Sequence, residues 1–337
     1  MSTELVLITG VSSFLGYATA VSALESGYRV RGVVRRVPQV DEIKRILPGD
    51  FLDKIEFVVI PDLRTTGAFD GPLKDVDHII HVASPAGIDT DDFARDYLEP
   101  ARDVTLNVLS AAAKFPKLKR VVVTSSLSVY IPTSEFAVGK FSKEIFRSDD
   151  EVCHYKVTDQ FPHRLFAYAA SKSIALEAAE QFIKDNKPSF GVVFLMPTFV
   201  FGPNKLSRTV DQFSTGSNDI LLSHILGKSN NPLLTVSVHI DDVAKLHVLS
   251  LKTSVPTGRY LLDSEGTNGT NWSDALPFVK KYFPESIGKV FAKEAEMHPI
   301  NIRIDNSKAE EAFGIKFKSF EEQVKDTVGF YLSLVSK

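Results

Sequence analysis

Apolar and polar residues follow two rhythms over the first two hundred positions. Short runs of Val, Ile and Leu, apolar on both faces, occupy residues 5–8, 28–34, 55–60, 78–82, 120–124 and 191–196. Strands buried in a parallel sheet require runs of that kind. Between them the spacing predicts helices over 16–26 (closed by Gly27), 40–47, 97–115 and 166–186. The βαβ rhythm predicts an α/β protein with a doubly wound parallel sheet of Rossmann type, helices on both faces.

The rhythm weakens after Pro197. Residues 205–231, rich in Ser, Thr and Asn, have the composition of a loop-rich cap. Strand-like segments return at 233–239 and 259–262, and helices at 241–251, 272–282 and 320–335. No internal repeat or low-complexity tract interrupts this order. The C-terminal third is too discontinuous to fold apart. The expected organisation is therefore a Rossmann domain over 1–200, with returning segments at about 233–262, and a smaller substrate-binding lobe from 201–232 and 263–337.

Composition narrows the function. A chain of 337 residues, 44% hydrophobic and 24% charged, is a globular protein able to bury a substantial core. Its 39 basic residues against 42 acidic ones leave −3. That balance offers no electrostatic footprint for nucleic acid or an anionic membrane. The longest apolar stretch, 190–201, contains Pro197 and is too short to span a bilayer. No basic segment or small-residue cleavage site precedes Leu5. The single cysteine, Cys153, excludes an internal disulfide and a multi-cysteine metal site. The eight histidines lack metal-ligand spacing. The expectation is a cytoplasmic protein, monomer or homodimer, without metal, membrane or nucleic-acid partner.

The turn Thr9-Gly10-Val11-Ser12-Ser13-Phe14-Leu15-Gly16 lies between the first strand and the first helix. A tight turn there aims backbone N–H groups and a helix N-terminus at a phosphate. Ser13 replaces the middle glycine of Gly-x-x-Gly-x-x-Gly; its Cβ would crowd a pyrophosphate, or its hydroxyl would donate to one. At the end of the second strand, Arg35 and Arg36 stand where an NAD site places an acid. Guanidinium groups there suit the 2′-phosphate of NADP(H), although a solvated Arg pair gives the same sequence.

Tyr168 and Lys172 stand one turn apart on the predicted long helix, and Thr124-Ser125-Ser126 closes the preceding strand. Reducing a carbonyl needs a hydride donor, a proton donor and a group to polarise the C=O. Tyr168 would be the acid. A free phenol titrates near 10, and lowering it by ~3 units needs ~4 kcal/mol of phenolate stabilisation. Lys172, with the positive nicotinamide of NADP⁺, would supply it, and Lys172 would also hold the ribose hydroxyls. Ser126 or Ser125 would hydrogen-bond the substrate oxygen.

With these motifs in this order, the chain resembles the extended short-chain dehydrogenase/reductase family. The branch is that of dihydroflavonol reductases, cinnamoyl-CoA reductases and yeast-type methylglyoxal/ketone reductases. The resemblance also includes Asp62-Leu63, His81-Val82-Ala83-Ser84-Pro85, Asn107, Pro197-Thr198-Phe199-Val200 and His239-Ile240-Asp241-Asp242. It implies that Asp62 and Leu63 hold the adenine and that Ala83 and Ser84 line the cofactor path. It further implies that Thr124, Tyr168 and Lys172 meet the nicotinamide end, Pro197 and Val200 pack beside it, and Ser217 reaches the diphosphate. The active serine of the family is the second of the pair, Ser126.

Departures from the family shape the reading. Leu127-Ser128 stand where dehydratases carry an Asp-Glu pair, and Arg35 contradicts the acidic strand end of epimerases. Phe166-Ala167-Tyr168 differs from the Asn-Trp-Tyr signature of cinnamoyl-CoA reductases, and Tyr130-Ile131 lies where dihydroflavonol reductases place an asparagine. Tyr130 and Phe199 suggest an aromatic pocket wall or, equally, core packing. His81 and His239 read as structural hydrogen-bonders, and Cys153 as inert. The leading reading is an NADPH-dependent carbonyl reductase acting on a small-molecule ketone or aldehyde. Its rivals are an NADP-linked hydroxysteroid or sugar-type alcohol dehydrogenase and a non-catalytic NADP-sensing regulator.

Overall fold

The computed structural model describes residues 4–85 and 90–336. Strands β1 (Leu5–Thr9), β2 (Arg29–Val34), β3 (Ile55–Val59), β4 (His78–His81) and β5 (Arg120–Thr124) form where the apolar runs predict them. A short strand, β6 (Ile145–Arg147), lies outside the main sheet, and β7 (Gly191–Pro197) rejoins it. The seven-stranded sheet runs from the Gly258–Leu262 strand through β7, β5, β4, β1 and β2 to β3, all parallel. The pleat explains the unbroken apolar runs. Leu5, Leu7, Val121 and Val123 enter one core, while Val6, Ile8 and Val122 enter another on the opposite face.

Helices α1 (Phe14–Glu25), α2 (Pro38–Ile46), α3 (Glu99–Ala112), a short α4 (Thr133–Val138) and α5 (Arg164–Asn186) follow the strands. Val108 and Leu109 of α3 and Leu176 and Ala179 of α5 cover one face of the sheet. Ala20 and Leu24 of α1 cover the other, beside Val243 and Leu246 of the Ile240–Leu249 helix. A single π-turn, Ala94–Leu98, precedes α3 where one continuous helix is expected. The strand order reverses between β1, which leads to β2, and β4 on its other side, with Thr9 in register with His81. Ligands of open α/β sheets bind beyond the carboxyl ends of the strands at such a reversal.

A third core gathers Phe201, Phe213, Leu221, Trp272, Phe320 and Val324 into the lobe. Residues 205–231 are less loop-like than their composition predicts, because they contain helices Val210–Phe213 and Gly216–Ile225. Thr209 caps the first by accepting from the Gln212 N–H, and Leu221, Leu222 and Ile225 of the second are fully buried. The Gly258–Leu262 strand lies at the sheet edge, paired with β7. The 233–239 segment does not: Leu233–Leu234 pairs with Pro299–Ile300, and Val238–His239 with Val200–Phe201. β6 likewise pairs with Arg303–Asp305, so the lobe is stitched to the sheet domain at several points.

Candidate active site

The glycine turn is dictated by contact. Gly10 has φ +75°, and a Cβ on it would come within 3.0 Å of the Ala83 nitrogen beyond β4. On Gly16 a Cβ would lie 2.0 Å from the Gly10 carbonyl oxygen, so the first turn of α1 is packed directly on the loop. The Ser13 hydroxyl caps α1: it accepts from Gly16 N–H at 3.1 Å and donates to the Gly10 carbonyl at 2.8 Å. Its hydrogen is therefore committed within the turn. Thr9 stands behind, its Oγ1 hydrogen-bonded to His81 Nδ1 at 2.8 Å and accepting from the Ala83 N–H at 3.2 Å.

From this turn a cleft of about 850 Å³ runs across the carboxyl ends of the strands. Gly10, Ser12, Ser13, Phe14 and Leu15 form its floor, and Arg35 its outer end. Asp62 and Leu63 follow from β3, and Ala83 and Ser84 from β4. Thr124, Ser126, Tyr168, Lys172, Pro197, Val200 and Ser217 complete the far end. Arg36 is exposed outside the lining, and Thr9 and Gly16 support it from behind.

At the far end the long helix α5 brings Tyr168 and Lys172 against β5. His163 starts α5, its ring nitrogen accepting from the Leu165 N–H. Lys172 is buried and directs its ammonium to the Thr124 carbonyl at 3.3 Å, 5.7 Å from the centre of the Tyr168 ring. Burial lowers its pKa to about 8. Burial raises the Tyr168 phenol above its ordinary value, and the Ser126 hydroxyl opposes this in part. Desolvation outweighs any help from Lys172, whose ammonium lies over the ring and against a backbone carbonyl. Ser126 accepts from the Ser128 N–H at 3.2 Å, whereas the buried Ser125 hydroxyl has no hydrogen-bond partner among the described residues.

Neither Tyr130 nor Phe199 lines the cleft. Tyr130 is buried in the sheet core, its hydroxyl donating to the Ser148 carbonyl at 2.6 Å and touching Met196 Sδ. Phe199 packs between that core and the lobe core. Of the two readings open for these rings, core packing is the one observed. His81 is buried, with its pKa lowered to about 3, and serves Thr9. His239 caps the Ile240–Leu249 helix by accepting from the Asp241 N–H and binds Asp326 at 3.2 Å; Lys318 pairs with both Asp241 and Asp326.

Some lining residues carry no signal in the sequence. Gln39, Arg64, Arg95, Asp96 and Thr198 all face the cleft. Arg64 is tied to the Asp62 carboxylate at 2.8 Å, holding that acid well below the ordinary carboxylate range, and Arg95 is tied to Asp96 at 2.6 Å. The spacing Arg35…Gln39 offered the one usable hint, since four residues bring a helix N-terminus back onto a strand end.

Residues 6–262, most of the sheet domain and the cleft it carries, match a single family pattern. The chain belongs to the NAD dependent epimerase/dehydratase family. Within that family it is similar to ketoreductase CTB6 of Cercospora beticola, at 34% identity over 100% of this chain and 97% of the relative. It is also similar to ketoreductase sphI of Aspergillus fumigatus, at 35% identity over 97% of each chain. Among solved structures it resembles Gre2 of Candida albicans in complex with NADPH, with 25% identity, a TM-score of 0.80, and coverage of 98% of this chain and 99% of that one. These likenesses bear out the extended short-chain dehydrogenase/reductase resemblance and its reductase branch. Among the described residues, no helix is long and apolar enough to cross a membrane.

Proposed function

We propose that this protein is an NADPH-dependent carbonyl reductase that converts ketones or aldehydes to alcohols, with Tyr168 as the proton donor. One observation carries the reading: Ser126, Tyr168 and Lys172 meet at one end of a cleft whose other end holds the glycine turn and Arg35. The close approach of Gly10 to Ala83 clears a floor for a dinucleotide, and the residues along the cleft suit one. The similar ketoreductases and the NADPH complex of Gre2 support the same chemistry.

NADPH, when bound, supplies the hydride. Tyr168 gives its proton to the carbonyl oxygen. Ser126, set by the Ser128 N–H, hydrogen-bonds the same oxygen as charge develops on it. Lys172 uses one of its three N–H bonds on Thr124; the others would hold the ribose hydroxyls of a bound cofactor, and its charge would favour the forming phenolate. Pro197, Thr198, Val200 and Ser217 line the cleft beside Ser126 and Tyr168. The expected setting is the cytoplasm, as a monomer or homodimer, in keeping with a chain that has a single cysteine.

The test is consumption of NADPH, with NADH in parallel, against a panel of ketones, aldehydes and keto esters. Turnover with NADPH far above that with NADH is expected. Tight NADPH binding without turnover of any carbonyl would remove the reductase reading.

A further inference from the structure

We propose that Gln39 selects the cofactor: with Arg35 and Ser12 it forms a cradle of donors, free of carboxylates, for the 2′-phosphate of NADPH. The proposal rests on the NADPH reading above and assigns the part of it that distinguishes NADPH from NADH.

The hydrogen bonds define the cradle. The backbone N–H groups of Arg35 and Arg36, at the end of β2, both donate to Gln39 Oε1, at 2.9 and 3.0 Å. Only the oxygen end of a carboxamide accepts two such bonds, so the NH₂ end is turned toward the glycine turn. There Nε2 donates to Ser12 Oγ at 2.9 Å. One side chain thereby ties the β2 end to the first strand–helix turn across the mouth of the cleft, and Gln39, Arg35 and Ser12 all line that mouth.

The pattern of hydrogens left over decides which ligand fits. Both acceptor sites of Oε1 are filled by backbone N–H groups. Nε2 keeps a second hydrogen, the Ser12 hydroxyl accepts from Gln39 and keeps its own, and Arg35 contributes a guanidinium. The face presented to the cleft therefore offers donors. A phosphate, which has acceptor oxygens and negative charge, is complementary to that face. A ribose 2′-hydroxyl is conventionally bound by a carboxylate in this position. Here the nearest acid in sequence, Asp41, is exposed on α2 and outside the cleft lining. The neutrality of Gln39 is thus as important as its reach. A carboxylate at the same place would accept the same two N–H groups and would repel the phosphate.

The test is calorimetric titration of wild type, Gln39→Glu and Gln39→Ala with NADPH and, separately, with NADH. Gln39→Glu still accepts from both backbone N–H groups and accepts the Ser12 proton, so the turn is retained. It is expected to weaken NADPH by roughly tenfold to a hundredfold, the scale of a charged hydrogen bond, and to leave NADH unchanged or tighter. Gln39→Ala is expected to weaken NADPH more than NADH. An NADPH-to-NADH affinity ratio in Gln39→Glu within about threefold of wild type would overturn the assignment. So would equal weakening of both cofactors in Gln39→Ala, since a residue that only braces the turn moves both alike. Wild type without a preference for NADPH would sink the cofactor reading itself, and the same titration separates that outcome from the other two.

Discussion

At the phosphate end of the cleft, Gly10, Ser12, Ser13 and Gly16 belong to one turn, held partly by bonds within it and partly by Ala83 and Gln39 from outside. The Gly10 carbonyl faces Gly16, and the Ser13 hydroxyl bonds both. At the chemical end, Ser126 leaves β5, Tyr168 and Lys172 come from α5, and Pro197 closes β7. Tyr168 and Lys172 are neighbours on one helix, but Ser126 and Pro197 join them only when the sheet has formed. The first region is largely local geometry, which Ala83 and Gln39 then brace from distant parts of the chain. The second is an assembly, and burial sets its electrostatics: Lys172 is lowered to about 8 and Tyr168 is raised, neither of which follows from the spacing of the two residues.

The largest expected effect separates the two ends. Tyr168→Phe should reduce turnover by about a thousandfold or more, within the range for losing a general acid, while NADPH affinity stays near wild type. Steady-state rates beside a binding titration check this; retained turnover would take the proton from another group. Gly16→Ala attacks the opposite end. Its Cβ would stand 2.0 Å from a backbone oxygen, so α1 must shift. Overpacking of that kind costs about 1–3 kcal/mol, read as a lower Tm, and NADPH binding should weaken with it.

A third effect depends on burial. Lys172 carries its charge below a pKa of about 8 and loses it above. Because kcat/KM reports the free enzyme, it should fall as pH rises through that value, about tenfold per pH unit on the descending limb. A limb first appearing above pH ~10 would instead assign the titration to the phenol. The smallest effect concerns Ser13. Its hydroxyl is committed to the helix cap, so Ser13→Gly should cost only a few tenths of a kcal/mol in a denaturation curve, because glycine is itself a tolerated N-cap. NADPH affinity should change little. A large gain in affinity would show that the Ser13 Cβ does crowd the pyrophosphate.

The strands were legible wherever both faces are buried, because an unbroken apolar run such as 120–124 has few other uses. The Gly10…Gly16 turn was legible for a similar reason: its requirement lies within the turn. Gln39 was not, since a glutamine at a helix start becomes part of a site only when β2 and the glycine turn are brought within reach of one side chain. Tyr130 and Phe199 show the reverse. Aromatic residues near an active strand suit a pocket wall or a core equally, and the Ser148 carbonyl and the lobe core settled where these two lie. The helices at 210–225 have no clear periodicity in the sequence, because Asn218 and His224 are buried with the apolar residues on a core that the chain completes only with Trp272 and Phe320.

By itself, then, the chain determined the α/β alternation, the glycine turn and the order of Ser126, Tyr168 and Lys172, since each depends on contacts close in sequence or on the period of one element. Tertiary structure alone decided which side chains face the cleft, how Gln39 joins β2 to the turn, and which way the pKa values of Tyr168 and Lys172 move. Those depend on desolvation and on neighbours distant along the chain, and both come into being only when the layers close.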